Sequence, residues 1–313
     1  MREQVLAVDI GGTKIAVALV DADGHITAET VAPTPRSLDP DEVFAPATAA
    51  LRRTARSYDR ADTVLRVGIG SAGPIDSPTG TISPVNIPAW RGFEVVDRVS
   101  HVLADVVGSC DVRLAGDGHC FALGEHWLGA GRDVGSMVGL VISTGVGGGA
   151  VLGDQLFAGA TGNAVHVGHI SVNAWGARCV CGGHGCVEMY ARGPALVAAA
   201  RLRGWTGLDA RELADAARSG NEVALSVLDD GMRALAAGIA STATQLDVTT
   251  FVLGGGVSRA GDVIFNPLRR HLRDFAALGN VGAIDVRPAV LENAGLLGAA
   301  ALAFSLPQRP VRP

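Results

Sequence analysis

The sequence has no long apolar run, no excess of basic charge and no leader-like start, and each lack excludes a class of protein. The longest apolar run near the end, "LLGAAALAF", is too short to span a bilayer. The first residues, "MREQVLAVDI", show a strand pattern with no charged-then-apolar segment before it. The net charge is −5, which does not favour a polyanionic partner. We therefore expect a cytoplasmic protein with neither a nucleic acid nor a membrane as partner.

Cysteine is also scarce, with five in 313 residues, and its distribution is uneven. Three cysteines lie between positions 179 and 186, in the segment "HVGHISVNAWGARCVCGGHGC" that also contains three histidines. Such clustering suits a thiolate metal site better than a disulfide framework, with free buried thiols as the alternative. Cys110 and Cys120 are left over, and we expect them to be reduced.

What is present points to an α/β protein with two lobes. Hydrophobic residues make up 48% and charged residues 18% of a chain long enough for two cores. Two stretches, "VLAVDIGGTKIAVALVDADG" and "MVGLVISTGVGGGAVLGDQ", each read as strand, glycine turn and strand. Helical patterns follow at residues 41 to 57, 118 to 130 and 222 to 246, and another closes the chain in "ENAGLLGAAALAF". We place the smaller lobe at residues 1–115 plus 292–313 and the larger one at 116–291.

The first glycine turn, "DIGGTK", has the composition of a phosphate clamp. Glycine lets backbone N–H groups approach an anion, a threonine adds a hydroxyl and a lysine adds a charge, while the aspartate could hold Mg²⁺ through water. It is not a Walker loop, because that motif occurs nowhere in the sequence. An ordinary tight hairpin is the alternative. The candidate residues are Asp9, Gly11, Gly12, Thr13 and Lys14.

Two later glycine turns strengthen the phosphate hypothesis. "STGVGGG" supplies a second clamp, and "LGGG" could pass under a nucleotide base or ribose. Any one of the three turns would be weak evidence alone, whereas together they predict a nucleotide site. The candidate residues are Thr144, Gly145 and Gly147 in the second turn and Gly254, Gly255 and Gly256 in the third.

A phosphoryl acceptor needs a general base, and Asp117 is the candidate. It follows the apolar run "VRL" at the start of a predicted helix, where its carboxylate could accept the proton of a sugar hydroxyl. Aspartate is also a frequent helix N-cap, so capping is the alternative role for this residue.

The motifs of this chain occur in the order "DIGGTK", "GIGSAGPID", "NIPAW", "STGVGGG", "HVGH", "CVCGGHGCVE" and "LGGG". In this order and spacing, they resemble the ROK family of sugar kinases and regulators. The resemblance covers roughly residues 5 to 305. It implies a two-lobed actin-like, hexokinase-like (ribonuclease H-like) ATPase fold with a zinc-bound loop at residues 166–188. It also implies ATP and a hexose in the cleft, Mg²⁺, structural Zn²⁺, transfer to the sugar 6-hydroxyl and a homodimer or higher homo-oligomer.

The resemblance also carries roles over to individual residues. His169, Cys179, Cys181 and Cys186 match the zinc ligands of the family, and such a closed set of four is structural. Asp117 matches the catalytic base. Residues that match sugar contacts are Asn86, His169 and Glu188, whereas His184 is expected to be a spectator.

Two sugar-binding positions depart from the family pattern. The family pattern is N-D-x-N where this chain has "GDGH", so Gly116 replaces an asparagine. In "VHVGH", His166 replaces a glutamate of the family pattern. Losing one hydrogen bond to a buried hydroxyl costs about 1–3 kcal/mol. The departures suggest a hexose modified near C2 or C3, with 3-amino-3-deoxyglucose (kanosamine) as first candidate. An ordinary glucokinase is the alternative.

A sugar-sensing regulator without catalysis is the alternative of another class. The regulators in the family carry an N-terminal DNA-binding domain, for which we expect no room here because Asp9 already belongs to the first glycine turn.

Overall fold

In the computed structural model, which describes residues 3–59, 64–275 and 283–304, the chain forms two compact units. The first consists of Met1–Gly135, Gly149–Ala164 and Val290–Pro313, and the second of Ser136–Gly148 and Val165–Ala289. Both contain a sheet and helices, so the α/β class predicted from the sequence is confirmed. Across the described ranges, we find no helix of the length and apolarity needed to cross a bilayer.

The first unit is built on a five-stranded sheet in the order β3-β2-β1-β4-β7. The strands are β1 Gln4–Ile10, β2 Lys14–Asp21, β3 Ile26–Pro33, β4 Leu65–Ser71 and β7 Cys110–Gly116. The first three are antiparallel neighbours, whereas β1, β4 and β7 run parallel. Their register sets Ile10 beside Ser71 and Ser71 beside Gly116. The segments that follow β1 and β7 therefore start at one edge of the sheet, the edge where open α/β sheets bind ligands.

Helices cover both faces of this sheet. The helices are α1 Pro40–Ala55, α2 Val95–Val107, α3 Asp117–Trp127 and α9 Ala294–Phe304. One core cluster involves α1 and α2, and the other involves α3 and α9. Helix α9 packs with its backbone close to α3, and a Cβ on Gly298 would lie 1.6 Å from the Cys120 carbonyl oxygen. The small residues of the closing helix are therefore required by this close packing.

Short strands complete the first unit. A small hairpin pairs β5 Ile75–Asp76 with β6 Thr81–Ile82, and β10 Gln155–Phe157 pairs with the second half of β9 Val146–Leu152. The boundary between the units falls within β9, between Gly148 and Gly149.

The second unit repeats the hairpin-plus-parallel-strand design. The second sheet has the order β10-β9-β8-β11-β12, where β8 spans Met137–Ile142, β11 Thr250–Gly254 and β12 Asp285–Pro288. Strand β11 is parallel to both β8 and β12. The helices are α4 Glu188–Ala191, α5 Gly193–Leu202, α6 Ala210–Arg218, α7 Glu222–Leu246 and α8 Asp262–Asp274. Both predicted glycine hairpins are thus present, one in each sheet.

The units divide differently from the lobes that we placed at residues 1–115 plus 292–313 and 116–291. Residues 116–135 and 149–164 belong to the first unit. The physical reason is the packing of α3 on α9, which buries Cys120 in the first unit. Residues 305–313, which we also assigned to the smaller lobe, lie outside the described residues.

Candidate active site

The first glycine turn joins β1 to β2 and is held by Thr34. The Gly11 N–H donates to the Lys14 carbonyl oxygen at 3.0 Å, and the Thr34 hydroxyl donates to the Gly11 carbonyl oxygen at 2.8 Å. Thr13 and Lys14 are exposed. The backbone therefore forms an ordinary tight hairpin, which was the alternative interpretation of this turn. The phosphate interpretation is compatible with it, because successive N–H groups of such a turn suit an anion.

Asp9 and Asp117 are electrostatic neighbours at this edge of the first sheet. Burial, and next the Asp117 carboxylate, raise the pKa of Asp9 to about 6, while the Lys14 ammonium group lowers it. Asp117 is exposed, and its Oδ1 accepts a hydrogen bond from the Gly118 N–H at 2.7 Å. Two carboxylates that repel each other favour a bound cation, and oxygen is the ligand that Mg²⁺ prefers.

Asp117 does not occupy the N-cap position, which was the alternative role for this residue. The N-cap of α3 is Gly116, and Asp117 is the first helical residue. Gly116 has no side chain with which to cap this helix start. The carboxylate therefore faces solvent at the end of a parallel strand, where a general base would be placed.

Asn86 lies directly against the first glycine turn. A Cβ on Gly12 would be 2.5 Å from Asn86 Nδ2, so the amide group uses the space that the glycine leaves open. The "NIPAW" segment is anchored by Trp90, which is fully buried, stacks on Phe93 at 4.4 Å and donates from Nε1 to the Pro40 carbonyl oxygen. The structure thus places the predicted sugar-contacting amide beside the predicted phosphate turn.

The two glycine turns of the second unit line one cavity. The parallel register of β8 and β11 sets Val141 beside Gly254. At the ends of these strands the Val257 N–H donates to the Ile142 carbonyl oxygen at 3.0 Å. Thr144 and Gly256 both line a cavity of about 670 Å³, a volume typical of small-molecule sites. The sequence predicted the two turns, and the register explains why they meet.

The walls of this cavity were not predicted from the sequence. They come from α5, α6 and the segments around them, and include Leu196, Val197, Leu208 and Ala214 together with Arg201, Arg211, Arg218 and Arg259. These residues carry no motif, because a cavity wall needs only apolar bulk and a few polar groups at positions that depend on helix packing.

The predicted zinc ligands come together. One donor atom each from His169, Cys179, Cys181 and Cys186 lies within 4.8 Å of the others. Cys179 Sγ is 3.7 Å from His169 Nδ1, and Cys181 Sγ is 3.6 Å from Cys186 Sγ. Tetrahedral zinc with bonds of about 2.3 Å places two sulfurs about 3.8 Å apart. The donor set and its spacing therefore fit a structural zinc ion, whereas His184 Nδ1 lies 3.1 Å from the Gly176 carbonyl oxygen.

The electrostatics of the four-residue group also suit a cation. Burial and the neighbouring thiols raise the pKa of Cys186 to about 12, and the Gly183 N–H lowers the pKa of the exposed Cys181 thiol. A cation bound between the thiols would favour their thiolate forms, which are the forms that coordinate a metal ion.

Glu188 and His166 flank the candidate metal-binding loop in different environments. Glu188 Oε2 accepts a hydrogen bond from the Val146 N–H at 2.9 Å, and Arg192 Nη1 lies 3.8 Å from Oε1. Glu188 is thereby fixed against the second glycine turn, and the role of Arg192 was not predicted. His166 is exposed, with φ −74° and ψ 66°, and follows Val165, whose φ is 63°. Its ring lies 6.2 Å from that of His169.

Comparison with known proteins gives a family match over nearly the whole chain. The profile of the ROK family matches residues 5–305. A glucokinase from Thermotoga maritima is 34% identical, with 96% of each chain covered. An N-acetylmannosamine kinase from Shigella flexneri is also 34% identical, covering 96% of this chain and 98% of the relative.

Solved structures agree with the predicted hexokinase-like fold. A ROK hexokinase from Thermus thermophilus superposes with a TM-score of 0.81 at 32% identity, covering 97% of this chain and 98% of the other. A ROK glucokinase from Streptomyces griseus, in complex with glucose and AMPPNP, gives 0.77 at 32% identity, covering 97% and 100%. The two kinases at 34% identity bear the names of different sugars. Overall identity therefore does not choose the sugar, and the residues at the sugar site must do so.

Proposed function

We propose that this chain, which belongs to the ROK family, is a hexose kinase that transfers the γ-phosphoryl group of ATP to the 6-hydroxyl of a glucose-like sugar. Its curated relatives support a sugar kinase. The observation that carries the proposal is the exposed Asp117 carboxylate at the start of α3, close enough to Asp9 to raise the pKa of that residue. A nucleophilic hydroxyl needs a base in this position, and a magnesium nucleotide needs the second carboxylate.

We propose that the phosphates of ATP contact the glycine turns and that the nucleoside occupies the cavity of the second unit. The residues involved are Gly11, Gly12, Thr13 and Lys14 in the first unit and Thr144, Gly145, Gly147, Gly254, Gly255 and Gly256 in the second. Asp9 would hold Mg²⁺ through water. When bound, the ion neutralises charge on the phosphates during transfer.

In this mechanism, Asp117 orients the 6-hydroxyl and accepts its proton as the oxygen attacks the γ-phosphorus, while the bond from the γ-phosphorus to the β–γ bridging oxygen breaks and ADP leaves. Asn86 binds a sugar hydroxyl beside the first glycine turn. His169 and Glu188 supply further sugar contacts, Glu188 on the anomeric side. The Val146 N–H and Arg192 hold the Glu188 side chain in place for that contact.

We propose that His169, Cys179, Cys181 and Cys186 hold a structural zinc ion. Four protein ligands leave no open coordination position, so the ion would not activate water. His169 would bind it through Nδ1, which faces Cys179, and would keep Nε2 for the sugar. The metal would thus stabilise the loop that carries the sugar-binding residues.

We propose that the preferred sugar differs from glucose near C2 or C3, with 3-amino-3-deoxyglucose as first candidate. Gly116 removes the amide donor that the family places there, and such a donor would conflict with an ammonium group at C3. A neutral imidazole at the exposed His166 can accept a hydrogen bond from an amine. An ordinary glucokinase that replaces both contacts by water is the alternative.

The test is coupled ADP release with ATP and Mg²⁺ against glucose, mannose, glucosamine, N-acetylmannosamine and 3-amino-3-deoxyglucose. The amino-sugar proposal requires the last sugar to have the highest kcat/KM, and a lead for glucose would support the glucokinase alternative. Asp117→Asn is the matched control and should lower kcat by about 10²- to 10⁴-fold. No turnover with any sugar would instead support the sugar-sensing regulator.

The proposal extends to the setting in which the kinase works. Cysteines grouped for metal binding rather than paired in disulfides suit a reducing compartment, so we place the protein in the cytoplasm. We propose a homodimer or a higher homo-oligomer, by resemblance to the family. Light scattering coupled to size-exclusion chromatography would measure the mass, and a monomer would contradict this part.

A further inference from the structure

We propose that His119 is a positioning residue for Asp117 and compensates for the two glycines that flank the catalytic aspartate; this inference rests on the proposed kinase function. His119 is the third residue of α3, one turn after Gly116, and is buried with 2% of its surface exposed. Its position corresponds to the last asparagine of the N-D-x-N pattern described above.

The first turn of α3 lacks the usual means of holding a helix start. The N-cap is Gly116, which has no side chain to accept from the N–H groups of the first turn, and the Gly118 N–H donates to Oδ1 of Asp117 itself. Asp117 is followed by Gly118, and glycine loses more conformational freedom on ordering than any other residue. A catalytic carboxylate between two glycines would therefore move with its backbone unless another contact fixed the turn.

His119 supplies that contact, because it lies against Gly116, Gly149 and Ala164. Its Nε2 lies 3.1 Å from the Ala164 carbonyl oxygen, a distance at which a ring N–H donates. A Cβ on Gly116 would lie 3.3 Å from His119 Nδ1, and one on Gly149 would lie 2.6 Å from His119 Cα. Both glycines thus leave space that the imidazole and its backbone use.

The other end of this contact is itself anchored. Ala164 closes a loop in which its N–H donates to the Ala158 carbonyl oxygen at 3.0 Å. The neighbouring Asn163 side chain accepts from the Ile75 N–H at 3.2 Å and donates to the Ile75 carbonyl oxygen at 2.7 Å. His119 therefore links the helical turn that carries Asp117 to the loop around Ala164, and β5 holds that loop in place. Ala164 lies two residues before His166 in the sequence.

The same helix provides a matched control. His126 is also buried, with 3% of its surface exposed, and its Nε2 lies 3.0 Å from the Val134 carbonyl oxygen. It lies about two and a half turns beyond the catalytic aspartate and has no place in the proposed chemistry. Replacing either histidine by alanine removes a buried ring and its contact with a carbonyl oxygen, and His126→Ala also removes the ring nitrogen that lies 3.1 Å from Asp154 Oδ1. A loss of turnover confined to His119→Ala therefore isolates positioning.

The experiment compares His119→Ala, His119→Gln and His126→Ala at saturating ATP and glucose, or whichever sugar the wild-type chain uses best. We expect His119→Ala to lower kcat on the order of tenfold or more, because small displacements of a catalytic group are costly, with KM for ATP within about twofold. Glutamine places an amide N–H near the position of Nε2, so His119→Gln should recover most of kcat. His126→Ala should lower the melting temperature yet leave kcat within about twofold of wild type.

Equal kcat in His119→Ala and wild type, or an equal loss in His126→Ala, would overturn the proposal. If His119→Ala does not fold, His119→Met keeps the volume without the donor and is compared with His119→Gln. Hydrogen exchange provides a readout without turnover: His119→Ala should lose amide protection around residues 117–120, and His119→Gln should keep it. A wild-type chain that is inactive on every sugar contradicts the proposed function, whereas unchanged exchange contradicts the role of His119.

Discussion

Replacing Asp9 by asparagine should stabilise the protein and abolish phosphoryl transfer. Burial, and next the Asp117 carboxylate, raise the pKa of Asp9 from 3.8 to about 6. Because the folded pKa is higher than the unfolded one, the native state binds more protons than the unfolded state between these two values. The free energy of unfolding therefore falls as the pH rises from about 4 to about 6 and stays reduced above that range.

The magnitude follows from the shift. A change of about two pKa units corresponds to about 3 kcal/mol at 1.36 kcal/mol per unit. This is the upper limit of the gain, since burying the amide group also has a desolvation cost. We expect Asp9→Asn to raise the free energy of unfolding by about 1–3 kcal/mol at about pH 8 and by close to zero at about pH 4.

Urea unfolding measures this gain, with tryptophan fluorescence as the signal because Trp90 is fully buried in the first unit. The exposed Asp97 provides the control, and Asp97→Asn should change stability little at either pH. Mg²⁺ with ADP should stabilise the wild type more than Asp9→Asn, since the cation offsets the repulsion between the two carboxylates. Equal stability of Asp9→Asn and wild type at about pH 8, or the same gain at about pH 4, would refute the reasoning.

The remaining predictions concern the metal loop and the first glycine turn. Cys181→Ser should lower the zinc content and the free energy of unfolding by about 1–3 kcal/mol. Cys181 is exposed, so its replacement removes no packing contacts, and Cys110→Ser is the control. Metal analysis and thermal melting measure the two effects. A Cys181→Ser variant with unchanged zinc content and unchanged stability would contradict this prediction. Gly12→Ala should raise KM for the sugar on the order of tenfold, because the new methyl group displaces the Asn86 amide. The exposed Asn86 side chain can move aside, so the free energy of unfolding should change by less than about 1 kcal/mol; a large loss would show that the turn itself is strained.

Several elements were predictable because the evidence for them is local. Alternating apolar residues around "GGTK" and "STGVGGG" predicted both hairpins, and the structure confirms them as β1–β2 and β8–β9. The helix predicted at 222 to 246 is α7 with the same bounds. Asn221 explains why it starts there, since its side chain caps the helix by accepting from the Ala224 N–H.

The assignment of residues 116–135 was not predictable in this way. The pattern of α3 shows a helix but does not say which sheet the helix covers. That depends on α9, more than 160 residues later, whose small residues allow it to pack closely against α3. The sequence pattern alone also left the N-cap role of Asp117 open, because boundaries of one residue depend on where β7 ends.

The sequence by itself determined the candidate chemistry of this protein: three glycine turns, a candidate base, four side chains that could bind a metal ion and the family to which they belong. Residue types and short spacings are enough for this, since each motif is a local property of the chain. Only the tertiary structure decided which groups meet. The register of parallel strands places Asp117 near Asp9, and Thr144 and Gly256 around one cavity. The tertiary structure also places His119 in contact with Ala164. Contacts between distant segments depend on packing, which no short motif encodes.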